Sequence, residues 1–212
     1  MSGIINVFDP DVKRGSEISE YAKKMGYGPN KRYFYLEKEG EWKVFMRACC
    51  FIHLKGERNP MKFIVVKNTD ESPSAKSWEP PKGQTEGKDG LKDLSMPLLE
   101  VLEENLRREV EEEAKIYNLQ KMHHTGLVLQ GKEKQYDDKT FFQYHIFQAF
   151  IDEGEFEKAE EKFAWYKEHP KAWDRLRKDR REKDAIAWFD PKKTKMNGRW
   201  SPTILAMYLK NF

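Results

Sequence analysis

Two cysteines are all this chain has, and they are neighbours, Cys49 and Cys50 in "FMRACCFIHL". Adjacent strand residues point to opposite faces, so an ordinary disulfide between them is excluded, and two thiols fall short of a zinc set. The expectation is a pair of buried strand cysteines in a reducing, intracellular and cytoplasmic setting. Long apolar runs are missing as well. No stretch reaches the roughly 20 residues a membrane helix needs, and "MSGIINVFDPDVKRG" at the start has no leader-like apolar core. No repeat or low-complexity tract is visible. Nor is there a surplus of one charge sign: 39 Lys and Arg against 36 Asp and Glu leave +3 over 212 residues. With 13 Phe, 9 Tyr and 6 Trp for a core, this balance excludes a disordered chain and fits a soluble globular protein.

Strand-like stretches come first: "KRYFYLEKE", "WKVFMRACCFIHLK" and "MKFIVVKN". A short helix is expected within "SEISEYAKKMGYG", and loops at "TDESPSAKS" and "WEPPKGQTEGKDG". The strongest helix runs from Pro97 to about Asn118, with Pro97 suited to its first turn. "TGLVLQGKEKQY" and "KTFFQYHIFQAFI" read as a hairpin pair. A charged helical stretch follows and breaks at Pro170. "AIAWFD" reads as a last strand, and "SPTILAMYLKNF" as a closing helix capped by Ser201. This order predicts an α/β domain with a mixed sheet covered by helices. Its core would be about 30–156 and 184–212, with a charged helical insertion at 157–183.

The central helix crowds carboxylates. Leu98, Leu102, Leu106, Val110 and Ala114 form its apolar stripe. At roughly 100° per residue, Glu109, Glu112 and Glu113 share a sector of about 100° beside it. Between Glu100 and Glu113 there are seven Glu against two Arg. Two readings stand. One is a solvated acidic face, whose like-charge pairs cost a few tenths of a kcal/mol, on the order of what exposed i, i+4 pairs gain. The other is a site for hard cations such as Mg²⁺ or Mn²⁺, which take oxygen ligands. The preceding "PPKGQTEG" places Lys82 beside Gly83, and a turn of this kind can aim backbone N–H groups and a cation at phosphate oxygens. Metal and pyrophosphate could meet there.

Together these stretches resemble the Nudix box: glycine, five residues, glutamate, seven residues, then Arg-Glu-aliphatic-x-Glu-Glu-x-Gly-aliphatic. Arg108, Glu109, Val110, Glu112, Glu113 and Ile116 fit its second half in register, and Glu100 stands seven residues before Arg108. "WEPPKG" resembles the lead-in of many members. There are two departures. Gly83 and Glu100 lie too far apart, so "DGLKDLSMP" reads as an insertion unless Asp89 takes the loop glutamate's place. Lys115 stands where the box has glycine, so the helix is expected to run on to Asn118. The resemblance implies a Nudix-type α/β/α sandwich that hydrolyses a nucleoside diphosphate linked to another moiety. It implies Glu109, Glu112 and Glu113 as ligands of Mg²⁺ or Mn²⁺, with Glu112 and Glu113 central to catalysis. Arg108 would hold a box carboxylate, and Lys82, Gly83 and Trp78 would lie beside the substrate. A general base would come from downstream, with Glu153 and Glu155 as candidates ahead of Asp152, Glu182 and Asp184.

The box does not choose the substrate. From Lys167 to Arg199 there are twelve Lys or Arg against six acids. This is either a solvated insertion or a surface that tracks RNA phosphates, as in members that remove mRNA caps. In the second case Lys178, Arg180 and Arg181 would carry phosphate contacts, and Trp165, Trp173 or Trp200 could stack on a base. The expected partner is therefore a nucleotide or dinucleoside polyphosphate, with capped RNA as the alternative. A non-catalytic binding protein of the same fold is the third reading.

Overall fold

The computed structural model of the chain describes residues 3–17, 32–69, 77–196 and 202–210. The helix expected within 16–28, the body of the 69–77 loop, Trp200 and the Ser201 cap lie outside them.

The fold is mixed α/β. Strands β1 (Lys13–Glu17), β2 (Tyr33–Lys38), β3 (Trp42–Leu54), β8 (Thr140–Ile151) and β7 (Gln120–Gly131) follow one another across one sheet, and β6 (Lys82–Gln84) also pairs with β3. β1 with β2 and β2 with β3 are antiparallel. Lys43 donates its N–H to the Lys139 carbonyl and Lys55 to that of Ile151, so β3 and β8 run in the same direction. The sheet is mixed, as expected. A second sheet has the order β5 (Trp78–Glu79), β4 (Ile64–Asn68), β9 (Lys183–Trp188), all antiparallel.

The chain divides into two compact units. One comprises Met1–Cys49, Gly83–Leu106 and Gly126–Ile146; the other comprises Cys50–Lys82, Arg107–Thr125 and Phe147–Phe212. In the first, Phe45 stacks on Phe142 at 5.2 Å, and Tyr35 and Tyr136 pack around the pair. Its short helix α1 (Gly87–Gly90) lies so close to Phe34 that a Cβ on Gly90 would stand 2.1 Å from that ring. In the second unit, Phe51 stacks on Tyr208 of α5 (Pro202–Leu209) at 3.8 Å.

The apolar stripe of α2 (Leu98–Ala114) is buried throughout, from Leu98 at 7% exposure to Ala114 at 0%. Each Leu- or Val-sized side chain so covered contributes roughly 1.5–3 kcal/mol. The Pro97 carbonyl accepts the N–H groups of Glu100 and Val101, so Pro97 stands just ahead of the first turn. Both cysteines are buried in β3.

Two expectations need correction, and one strand was not foreseen. α2 ends at Ala114 and does not continue to Asn118, because Lys115 takes a left-handed φ of +58° that stops the helical repeat. "WEPPKGQTEGKDG" is not a loop throughout, since it contains β5, β6 and α1. Its prolines stand between paired segments: the Pro81 carbonyl accepts Cys50 N–H, and the Thr85 N–H goes to the Met46 carbonyl. β1 went unread because "KRGSE" has no apolar alternation, and only its backbone pairing makes it a strand.

After β8 the charged stretch forms α3 (Glu153–Glu168), α4 (Pro170–Asp174) and a 3₁₀ turn, Lys178–Arg181. The break falls at His169, with Pro170 opening the next helix. Among the described residues, no helix is long and apolar enough to cross a membrane.

Candidate active site

The carboxylates, arginines and lysines of this site belong to the second unit; the candidate Gly83 follows Lys82 in β6 and belongs to the first. The helical phase expected for Glu109, Glu112 and Glu113 holds. Arg108 uses two nitrogens, one 3.0 Å from Glu109 Oε1 and the other 3.0 Å from Glu112 Oε2. One guanidinium thus stands between two carboxylates, as its planar fork permits. Glu112 is 5% exposed. Burial raises its carboxyl pKa, and although Arg108 opposes the rise, Asp179 adds to it.

Glu113 is held on both sides. Its Oε2 accepts the Lys82 N–H at 2.9 Å, and its Oε1 lies 3.2 Å from Lys183 Nζ. Lys183 also donates to Glu79 Oε1 and to Asn68 Oδ1. Lys82 Nζ, 2.8 Å away, gives Glu79 a second ammonium. Burial works against the Glu79 carboxylate, but the charges of Lys82 and Lys183, with their hydrogen bonds, outweigh it and hold the group at about 2. The ammonium and the N–H of Lys82 are therefore both engaged by carboxylates of the protein itself.

Lys115 completes the neighbourhood. Its side chain turns inward and donates to the Glu112 and Arg180 carbonyls. Its Nζ lies 5.5 Å from the centre of the Phe163 ring. Burial pulls this ammonium down to about 8, and the nearby Arg180 adds to the shift.

The other sequence candidates are placed as follows. Trp78 is half-buried in β5 opposite Lys67. Glu153 is exposed at the start of α3. Glu155 is buried: its Oε1 accepts the N–H groups of Tyr117 (2.9 Å) and Asn118 (3.1 Å), and its Oε2 accepts the Asn118 side chain. Burial tends to raise the Glu155 carboxyl, but these hydrogen bonds bring it below the usual value. Asp184 lies 3.6 Å from Lys67 Nζ and helps line a cavity with Phe163, Tyr166 and Trp173. Arg180 pairs with Glu111 at 2.9 Å, Arg181 lies 3.8 Å from Asp174, Arg177 pairs with Asp179, and Lys178 is exposed. Trp165 stacks on His169 at 4.3 Å.

Sequence reasoning missed Glu79, Lys183 and the inward turn of Lys115. A lysine opening an apolar strand was the only visible sign of Lys183.

Among the described residues, no group of three or more His, Cys, Asp or Glu side chains converges on a common metal position. The donor chemistry nonetheless suits a hard divalent cation. Glu109 and Glu112 are carboxylates of low exposure already gathered around one positive charge, with Glu113 fixed on the same helix.

No protein-family description matches this sequence, and no curated protein matches it. Among solved structures, the chain is similar to a NUDIX hydrolase from Nitrosomonas europaea, with 13% identity, coverage of 79% of this chain and 87% of that chain, and a TM-score of 0.43. It is also similar to a C. elegans Ap4A hydrolase in a binary complex, with 16% identity, coverage of 80% and 98%, and a TM-score of 0.38.

Proposed function

We propose that this chain is a Nudix-type, metal-dependent hydrolase that cleaves a pyrophosphate bond in a nucleoside diphosphate linked to another moiety, a small nucleotide or dinucleoside polyphosphate. One observation carries the reading. Lys115, standing where the box has glycine, takes the left-handed conformation that glycine would supply, φ +58°, immediately after a helix whose Arg108, Glu109, Glu112 and Glu113 are in register. A lysine held there marks a turn that the surrounding structure requires.

In this reading Glu109, Glu112 and Glu113 supply oxygen ligands to Mg²⁺ or Mn²⁺. When bound, the divalent cation offsets pyrophosphate charge and lowers the pKa of a water. Arg108 orients Glu109 and Glu112 and screens their repulsion. Lys82 lies beside the phosphates with Gly83 and Trp78, its ammonium shared with Glu79. A carboxylate accepts the proton from the attacking water; Glu153 and Glu155 are the downstream candidates, with Glu155 also ordering residues 117–118.

Glu112→Gln keeps the side-chain size and removes the charge. It is expected to lower kcat by about 10²-fold or more, as loss of transition-state charge stabilisation does, with the melting temperature nearly unchanged. Undiminished hydrolysis by this variant would remove the carboxylates from the mechanism.

The substrate is decided by offering capped RNA, free cap analogue and dinucleoside polyphosphates in parallel with Mg²⁺ or Mn²⁺ and identifying the products. The pairing of Arg177, Arg180 and Arg181 with acids favours the small nucleotides. Release of a capped nucleoside diphosphate from RNA alone, with affinity falling steeply in salt, would instead establish decapping.

A further inference from the structure

Lys183 is 3% exposed at its side chain. Taking an ammonium out of water is costly, so what surrounds it must compensate. Its three N–H donors meet three oxygens: Glu79 Oε1, Asn68 Oδ1 and, at 3.2 Å, Glu113 Oε1. Two carboxylates and an amide carbonyl are the hard donor set that Mg²⁺ or Mn²⁺ takes from proteins. The oxygens come from β4, β5 and α2, and the register of Asn68 opposite Lys183 fixes the lysine among them. Glu79 and Glu113 bring two negative charges, and Lys82 and Lys183 bring two positive ones.

We infer that Lys183 is a built-in cation. Its ammonium fills an oxygen cage that would otherwise take a divalent ion, fixes Glu113 beside Glu109 and Glu112, and lowers by one the number of divalent ions this part of the protein takes up. The cage stands on its own geometry; its bearing on turnover rests on the hydrolase reading. Lys183 is thus a positioning residue for Glu113.

The test counts bound Mn²⁺ by electron paramagnetic resonance, without reference to activity, in the full-length chain and its variants. Lys183→Ala opens the cage and is expected to bind one Mn²⁺ more than the wild type, with its lowered melting temperature recovering as Mn²⁺ is added. Lys183→Met fills the same volume without charge and should bind no additional ion. Adding Glu79→Gln to Lys183→Ala should abolish the extra site.

Equal counts in Lys183→Ala and the wild type would overturn the inference, as would an extra site that survives Glu79→Gln. If Lys183→Ala fails to fold even in saturating Mn²⁺ while Lys183→Met folds, the cage does not accept a divalent ion and the inference is likewise overturned. A wild type that binds no Mn²⁺ and cleaves no pyrophosphate would end the hydrolase reading. The difference between wild type and Lys183→Ala would still decide the role of Lys183.

Discussion

His53 sits in the core of the second unit at 0% exposure, and its hydrogen bonds determine its tautomer. Nδ1 faces the Lys62 carbonyl at 3.0 Å, which can only accept, so the proton is on Nδ1. Nε2 then accepts the Tyr208 hydroxyl at 2.6 Å, and the Tyr208 oxygen accepts from Gln148 at 2.9 Å. Burial pushes this imidazole down to about 4. The unfolded chain binds the proton near 6.5, so it holds more protons than the folded chain between the two values. Stability attributable to His53 is therefore full above about 6.5 and is lost as pH falls toward 4, by up to about 3 kcal/mol. Urea unfolding across that window should show this slope, and it should flatten in His53→Gln; coincident slopes would place the acid sensitivity elsewhere. At this scale the sequence was informative only where partners are near in the chain. Glu109, Glu112 and Glu113 could be placed in one sector from helical spacing, and the pairing of Arg108 with a box carboxylate was an implication of the resemblance. Lys183 could not be placed with Asn68, Glu79 and Glu113, since separation along the chain says nothing about which strands pair.

Helix α2 was legible over its length and misread only at its end. The stripe from Leu98 to Ala114 determines the buried face, but the stop depends on a backbone angle that no side-chain pattern announces. Lys115 keeps its left-handed conformation because its ammonium is anchored by two carbonyls and packed near Phe163. Two substitutions separate anchor from angle. Lys115→Ala loses the hydrogen bonds and keeps the strain, whereas Lys115→Gly loses the same bonds and relieves it. Lys115→Gly is therefore expected to be the more stable of the two by about 1 kcal/mol, the penalty a Cβ meets in that region. Denaturant midpoints compared at equal m-values would show it, and an order reversed in favour of alanine would refute the strain. Strands β2, β3, β4, β8 and β9 were visible as apolar runs. β5 and β6 were hidden by Pro80 and Pro81, residues that ordinarily mark loops.

At the scale of the whole molecule, neither compact unit is continuous. Each draws on three separate stretches of chain. The second unit's sheet takes β4 and β5 from Cys50–Lys82 and β9 from Phe147–Phe212. A fragment of residues 107–212 thus keeps one of the three strands and loses Phe51, against which Tyr208 stacks. It is expected to melt without a cooperative transition; a sharp thermal transition in that fragment alone would contradict the assignment. No helix among the described residues is long and apolar enough to cross a membrane, in keeping with the sequence reading, and the order of elements pointed to a mixed α/β fold. The division of the chain was not foreseen, because it depends on contacts between segments whose sequences carry no sign of one another.

The Glu79, Lys82, Glu113 and Lys183 group sums to zero with nothing added from outside. On the hydrolase reading proposed above, chelation would leave those four charges balanced, so loss of metal would act on the chemistry and spare the scaffold. Restored supply would then find the carboxylate helix still anchored at Glu113.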